Sequence, residues 1–183
     1  MTKILGLDLS DNMVNEYNKN AEKNGLADKM SARTGDLLAD NVSAELSGPE
    51  YHDFDIVVVS MALHHFYDPA KALKTLGERL KKNGVFIIID FVPEESSGHE
   101  HNHHLPNHHY HPPHHDFHHD AFPEGTAETI GVYGFSSDTL KEMFENAGFS
   151  ANFGYEVIDE PFVFTVEGKT YSKTILAAKA QRA

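Results

Sequence analysis

Two carboxylates and a pair of histidines stand where an α/β protein can do chemistry. Asp8 directly follows Ile4 to Leu7, a short apolar run that predicts a buried strand. Ser10, just after it, is a good helix N-cap. A carboxylate in such a strand-to-helix turn is where nucleotide-binding α/β sheets grip a ribose, because it offers acceptor oxygens to both hydroxyls. It normally lies about 20 residues beyond a glycine-rich phosphate loop. Here only Met1, Thr2 and Lys3 precede the strand. Asp36 ends a similar turn in the stretch Ala-Arg-Thr-Gly-Asp. Ser60, Met61 and Ala62 sit at the end of the run from Phe54 to Ser60, and His64 and His65 follow at once. Ligands of open α/β sheets bind at the carboxyl ends of strands. Imidazole titrates near neutrality and can contact substrate or serve as a general base there. Plainer readings stand beside these: Asp8 as a helix cap, Asp36 as a turn residue, one histidine capping the next helix and the other packed in the core.

A second histidine cluster is of another kind. Eleven of the 14 histidines fall between positions 99 and 119: His99, His101, His103, His104, His108, His109, His111, His114, His115, His118 and His119. Imidazole is a common ligand for zinc, copper and nickel. A dedicated site needs fixed geometry, which Pro106, Pro112 and Pro113 oppose. The expectation is a histidine-rich insertion, at about 93–125, that binds divalent metal loosely and in many ways rather than at a specific metal site.

The elements that must position these residues alternate. Met13, Val14, Tyr17 and Ala21 share one face of a helix that Asn24-Gly25 stops. A short strand follows at 31–34, then a mixed connection over 37–53. The β-branched run from Phe54 to Ser60 predicts a strand buried on both faces. Asp68-Pro69 opens a helix with Leu73, Leu76 and Leu80 on one side, closed by Lys81, Lys82 and Gly84. Val85 to Phe91 is another buried strand, ending near Asp90, which could face the same cleft or only cap a loop. After the insertion, Ser136 or Ser137 caps a helix with Leu140, Met143, Phe144 and Ala147 inward, ended by Gly148. Two last strands, around 150–157 and 172–178, are expected to pair antiparallel, with a turn at Glu167-Gly168-Lys169. The order βαβ…βαβ implies a parallel sheet flanked by helices.

Composition narrows the function. At 183 residues a single domain with one core is the natural expectation. The 15 basic and 28 acidic side chains leave a net charge of −13, which argues against nucleic acid and anionic membrane surfaces. There is no cysteine, so disulfides and thiolate metal sites are excluded. No apolar run approaches a membrane span and no signal peptide is visible, so a cytoplasmic protein is expected.

Five landmarks in order carry a resemblance: "GLDLSDNMV", "ARTGDL", "FDIVVVSMALHHFYDPAKAL", "LKKNGVFIIIDF" and "FSSDTLKEMFENAGF". Together they resemble class I S-adenosylmethionine-dependent methyltransferases, especially the small-molecule branch that includes ubiquinone-biosynthesis-like enzymes. The resemblance implies a Rossmann-like α/β sheet, mostly parallel, with the last strand inserted antiparallel. It begins at that family's second strand, so the chain resembles an N-terminally truncated member lacking the first strand and the glycine-rich loop. It implies S-adenosylmethionine as cofactor, with Asp8 on the ribose hydroxyls, Asp36 and Leu37 at the adenine, Ser60 also in the cofactor-binding set, and Leu9 and Met13 either near the adenosine or packed in the core. His65 or His64 would face a small-molecule methyl acceptor, and the chain by itself would be impaired. The region after the strand ending at Phe91 would help cover the substrate. Two rivals remain at this level: a non-catalytic histidine-rich metal-binding or regulatory protein on a relic fold, and a nicotinamide-dependent oxidoreductase. The second would use Asp8 equally well but leaves Asp36 and the Ala-Gly-Phe ending unexplained.

Overall fold

The structure is a computed structural model that describes residues 3–39, 41–93 and 130–182. The histidine cluster at 99–119 lies outside these residues. The chain forms two compact units, Met1–Asp53 and Phe54–Ala183.

In the first unit, β1 (Ile4–Asp8) and β2 (Met30–Thr34) pair in parallel, joined by α1 (Asp11–Lys23). The helix starts where the sequence places it. The Ser10 hydroxyl accepts from Met13 N, and Asp11 in the first turn suits the positive end of the helix. The helix stops at Asn24, ahead of Gly25 in the left-handed region. Its inner face is narrower than the spacing predicts. Val14 and Ala21 are buried, whereas Met13 is 60% exposed. Asn18, one turn beyond Val14, explains the shift: its side chain donates to Ala32 O at 3.0 Å and accepts from Ala32 N at 2.8 Å. A polar clamp thus faces β2 and turns Met13 outward. The expected mixed connection holds two 3-10 turns, Ala44–Leu46 and Pro49–Tyr51, which bury Leu46 and Tyr51.

In the second unit, four strands lie in the order β3-β4-β6-β5: β3 (Phe54–Ser60), β4 (Leu80–Phe91), β5 (Ala151–Val166) and β6 (Lys169–Gln181). β3 and β4 run parallel. β6 runs antiparallel to both of its neighbours and is inserted between β4 and β5, as expected of the last strand. The β5–β6 hairpin turns on Glu167-Gly168, both with positive φ, which is the mirror-image turn whose twist suits a hairpin. Two helices, α2 (Pro69–Gly77) and α3 (Ser137–Asn146), supply the apolar layer. Each has the cap that its sequence predicts, Asp68 accepting from Lys71 N and Ser136 from Thr139 N. The core is aromatic: Phe86 of β4 meets Phe144 of α3 at 5.8 Å and Phe149 at 5.9 Å, edge to face.

Two expectations need correction here. α2 ends at Gly77, not at Gly84. Leu80 is buried, but it reaches the core from the start of β4, where it pairs with Phe54. The residues Lys81 to Gly84 form an irregularity in the ladder, since the next matched pair is Ile56 with Val85. Asn83 there takes a positive φ of 63°. Nor is β3 buried on both faces: Ile56 is 44% and Val58 53% exposed. Among the described residues β3 is an edge of its sheet, hydrogen-bonded to β4, and its buried side chain, Val59, is on the opposite face from these two.

Candidate functional site

The first carboxylate site grows out of the β1–β2 register. Asp8 is paired with Thr34, and Gly35 N donates to Asp8 O at 3.0 Å. The carboxyl ends of two adjacent parallel strands therefore bring Asp8 and the Gly35-Asp36 turn to one edge. Asp8 Oδ1 accepts from Ser10 N at 2.8 Å, and Asp36 Oδ1 accepts from Leu38 N at 2.7 Å. Each carboxylate is thus oriented by local backbone, with its second oxygen turned to no partner among the described residues. Both side chains are exposed. Thr34 Oγ1 and Asp11 Oδ1, 2.5 Å apart, tie the end of β2 to the first turn of α1. Leu9 is 72% exposed, so it is no core residue, and Leu37 is half-buried.

A cavity of about 280 Å³ opens beside Asp36, between Arg33, Thr34, Gly35, Leu46 and Tyr51. Its wall is braced. Arg33 Nη1 donates to Tyr51 Oη at 3.0 Å, and the Arg33 guanidinium lies 5.9 Å from the Tyr51 ring centre. Gly35 is required by this packing, because a Cβ there would meet Leu46 Cδ1 at 2.5 Å.

The second site lies in the other unit, at the carboxyl end of β3. Ser60 is exposed at the strand end. Met61 follows with φ of 52°, a left-handed conformation uncommon for a side chain of this kind. A 3-10 turn, Leu63–His65, then places the two histidines differently. His64 is buried and His65 exposed. Their rings stand 4.0 Å apart, and the His64 ring also contacts Phe91 at 4.8 Å. Neither histidine caps α2, a role taken by Asp68.

His64 has a partner that the sequence did not reveal. Asp90 is wholly buried, and its Oδ1 lies 2.8 Å from His64 Nδ1 and accepts from Phe91 N at 2.7 Å. Its Oδ2 accepts from His64 N at 3.3 Å. The signal was present in outline: Asp90 continues the alternation Phe86, Ile88 onto the buried face of β4. The chain returns against the same turn, with Gly131 N and Val132 N donating to His64 O at 2.8 and 3.2 Å. Phe135 N donates to Phe91 O at 2.9 Å. Gly134 makes that return possible, having φ of 147° and backbone so close that a Cβ would lie 2.6 Å from Pro93 N. Tyr155 on β5 donates to Phe135 O at 3.0 Å, and burial pushes its phenol pKa up. Among the described residues no group of histidines and carboxylates is arranged to hold a metal ion. No helix there is long and apolar enough to cross a membrane.

Comparison with known proteins agrees with this fold. A curated relative, an uncharacterized methyltransferase of Schizosaccharomyces pombe, is 28% identical over 151 residues, covering 81% of this chain and 46% of its own length. The chain thus spans about half of that relative. A SAM-dependent methyltransferase from Aquifex aeolicus superposes with a TM-score of 0.55 at 16% identity, covering 99% of this chain and 69% of that one. PigF, solved with SAH, superposes with a TM-score of 0.53 at 16% identity, covering 98% of this chain and 43% of its own. These likenesses establish the shared fold. The profile of the methyltransferase domain family matches residues 1–148, from the strand that ends at Asp8 to the glycine that ends α3, and the chain belongs to that family.

Proposed function

We propose that this fold serves the transfer of a methyl group from S-adenosylmethionine to a small-molecule acceptor. The observation that carries the reading is the alignment of Asp8 with the Gly35-Asp36 turn at the carboxyl ends of β1 and β2. The donor set fits the cofactor. Asp8 offers its outer oxygen to the ribose hydroxyls, and a charged acceptor strengthens such bonds. Asp36 accepts from the adenine amino group, with Leu37 beside it, and the cavity next to Asp36 has volume for a flat base. Leu9, exposed beside Asp8, covers the adenosine. The bound cofactor supplies an electrophilic sulfonium methyl, so the protein's part is mostly alignment of the acceptor atom with it. Ser60, exposed at the end of β3, is assigned to the cofactor, and the exposed His65 to contact with the acceptor or removal of its proton. His64, buried against Asp90, is not proposed to touch substrate.

The described residues offer carboxylates for the ribose and adenine but no glycine-rich backbone turn for the rest of the cofactor. The 183-residue chain alone is therefore proposed to bind S-adenosylmethionine weakly. Ligand-observed saturation-transfer spectra and calorimetric titration test this. The expected result is a weak signal from S-adenosylmethionine that disappears in Asp8→Asn. That substitution keeps an acceptor for Ser10 N and so leaves α1 intact. A signal indifferent to Asp8→Asn and Asp36→Asn would reject the site. Micromolar binding lost on Asp8→Asn would keep the site and reject the impairment.

A further inference from the structure

We infer that Asp90 is a positioning residue: its buried carboxylate fixes the Leu63–His65 turn, and with it the exposed ring of His65 just beyond the carboxyl end of β3. The inference rests on the proposed reading of that end as the acceptor side.

A carboxylate with no exposed surface, set in the apolar run Phe86 to Phe91, is costly unless its oxygens are satisfied. Those of Asp90 are. Three donors converge on it, and two of them belong to His64. Both Asp90 oxygens already accept from backbone N–H groups, so the inferred arrangement has the carboxylate accepting from His64 Nδ1 as well. That fixes one tautomer and one ring direction. The backbone is fixed as well, since His64 N is held by Asp90 and His64 O by Gly131 and Val132. No backbone hydrogen-bonding group of His64 is left to move.

The consequence falls on His65. Its ring lies 4.0 Å from that of His64, and its N accepts no freedom either, donating to Ala62 O at 3.0 Å. Two apolar side chains of similar volume would hold β4 against the turn as well as the hydrogen-bonded pair does, or better. What they would not hold is direction: the tautomer, the ring plane and the backbone N–H of residue 64. The left-handed Met61 just before the turn points the same way, because strained backbone persists only where surrounding contacts over-determine it. The buried pair supplies such contacts four residues from the strand end.

The test uses the full chain and needs no methyl transfer. Imidazole ¹H–¹⁵N spectra, with His64 and His65 identified by their loss in His64→Gln and His65→Gln, report tautomer. ¹³C relaxation of the His65 ring reports its order. In the native chain His64 is expected as a single Nδ1–H tautomer with a proton protected from solvent, and the His65 ring as rigid as the backbone. Asp90→Asn should mix the His64 tautomers and loosen the His65 ring. Since Asp90→Leu alone strands His64 and can unfold the chain, the second variant is Asp90→Leu with His64→Leu. It should keep or raise the thermal midpoint while the His65 ring becomes more mobile than in the native chain. A His65 ring that stays ordered in the double variant would overturn the inference, leaving the pair a packing element. Loss of S-adenosylmethionine binding on Asp8→Asn is a separate measurement, so failure of the functional reading is distinguishable from failure of this one.

Discussion

Replacing Gly77 by alanine tests the apolar layer that supports the buried face of β4. On helix propensity alone the change should stabilise, by at most about 1 kcal/mol. The packing reverses the sign. Gly77 is buried at the end of α2, and a Cβ there would lie 2.5 Å from both Cε2 and Cζ of Phe149. That is about 1 Å inside ordinary carbon–carbon contact. The ring has nowhere to withdraw: it is 2% exposed, with Phe86 at 5.9 Å and Phe144 at 6.0 Å, each edge to face. Overpacking of this kind costs about 1–3 kcal/mol. Subtracting the full propensity gain leaves a net loss of up to about 2 kcal/mol, or a fall of up to roughly 8 °C in Tm for a chain of this size. Thermal and urea unfolding by circular dichroism measure it. Phe149→Leu vacates the clashing ring edge, so the two substitutions together should cost less than the sum of their separate effects, by about 1 kcal/mol. A Tm raised by Gly77→Ala, or strict additivity with Phe149→Leu, would refute the argument that the ring is immobile.

Other outcomes can be checked beside it. Val58→Lys, on the exposed face of the β3 edge, should suppress aggregation in light scattering at 37 °C, because a charge there discourages edge-to-edge pairing; its stability cost should be within about 0.5 kcal/mol, and unchanged scattering would exonerate the edge. Raising pH should destabilise the fold through Tyr155. Burial raises its phenol pKa, so the unfolded chain ionises first, and the contribution is complete below about pH 10 and lost as pH climbs through the folded value. Tyr155→Phe should flatten that alkaline loss while costing about 1 kcal/mol at neutral pH for the hydrogen bond to Phe135 O. Protonating all 14 histidines would carry the net charge from −13 to about +1. Solubility should therefore be poorest somewhat below pH 6, and deleting residues 99–119 should move that minimum lower; an unmoved minimum would show that the histidines do not set it.

What could be read from the sequence follows the range of the forces involved. Caps are local, and Ser10, Asp68 and Ser136 all accept the backbone N–H that their position predicts. Strand runs are local too, and β1, β2 and β3 begin and end within a residue or so of where their apolar patterns place them. The carboxylates at the ends of β1 and β2 come together because a parallel register of Asp8 with Thr34 follows from the strand lengths. The failures are those where a distant partner decides. Met13 faces outward because Asn18 of α1 finds Ala32 of β2. Leu80 leaves the helix because Phe54 offers it a ladder position. His64 is buried because the pairing of Ser60 with Ile89 sets Asp90 opposite the start of the turn, 26 residues away along the chain.

The exposure of β3 is the most instructive of these. Its sequence, "FDIVVVS", carries the composition of a strand with neighbours on both sides and cover on both faces. Ile56 and Val58 are nevertheless exposed, and among the described residues their strand pairs only with β4. Nothing on this strand does the work of an edge device: there is no proline or bulge past Ile56, and its single charge, Asp55, is engaged by Lys81. Burying two such side chains is worth about 1.5–3 kcal/mol each. A strand that leaves this free energy unused is poised to accept further apolar contacts, and another β3 is one source of them. Aggregation through this edge is therefore expected to compete with folding of the isolated chain, and Val58→Lys, which adds charge without touching the buried face of Val59, separates that competition from any defect of the site itself.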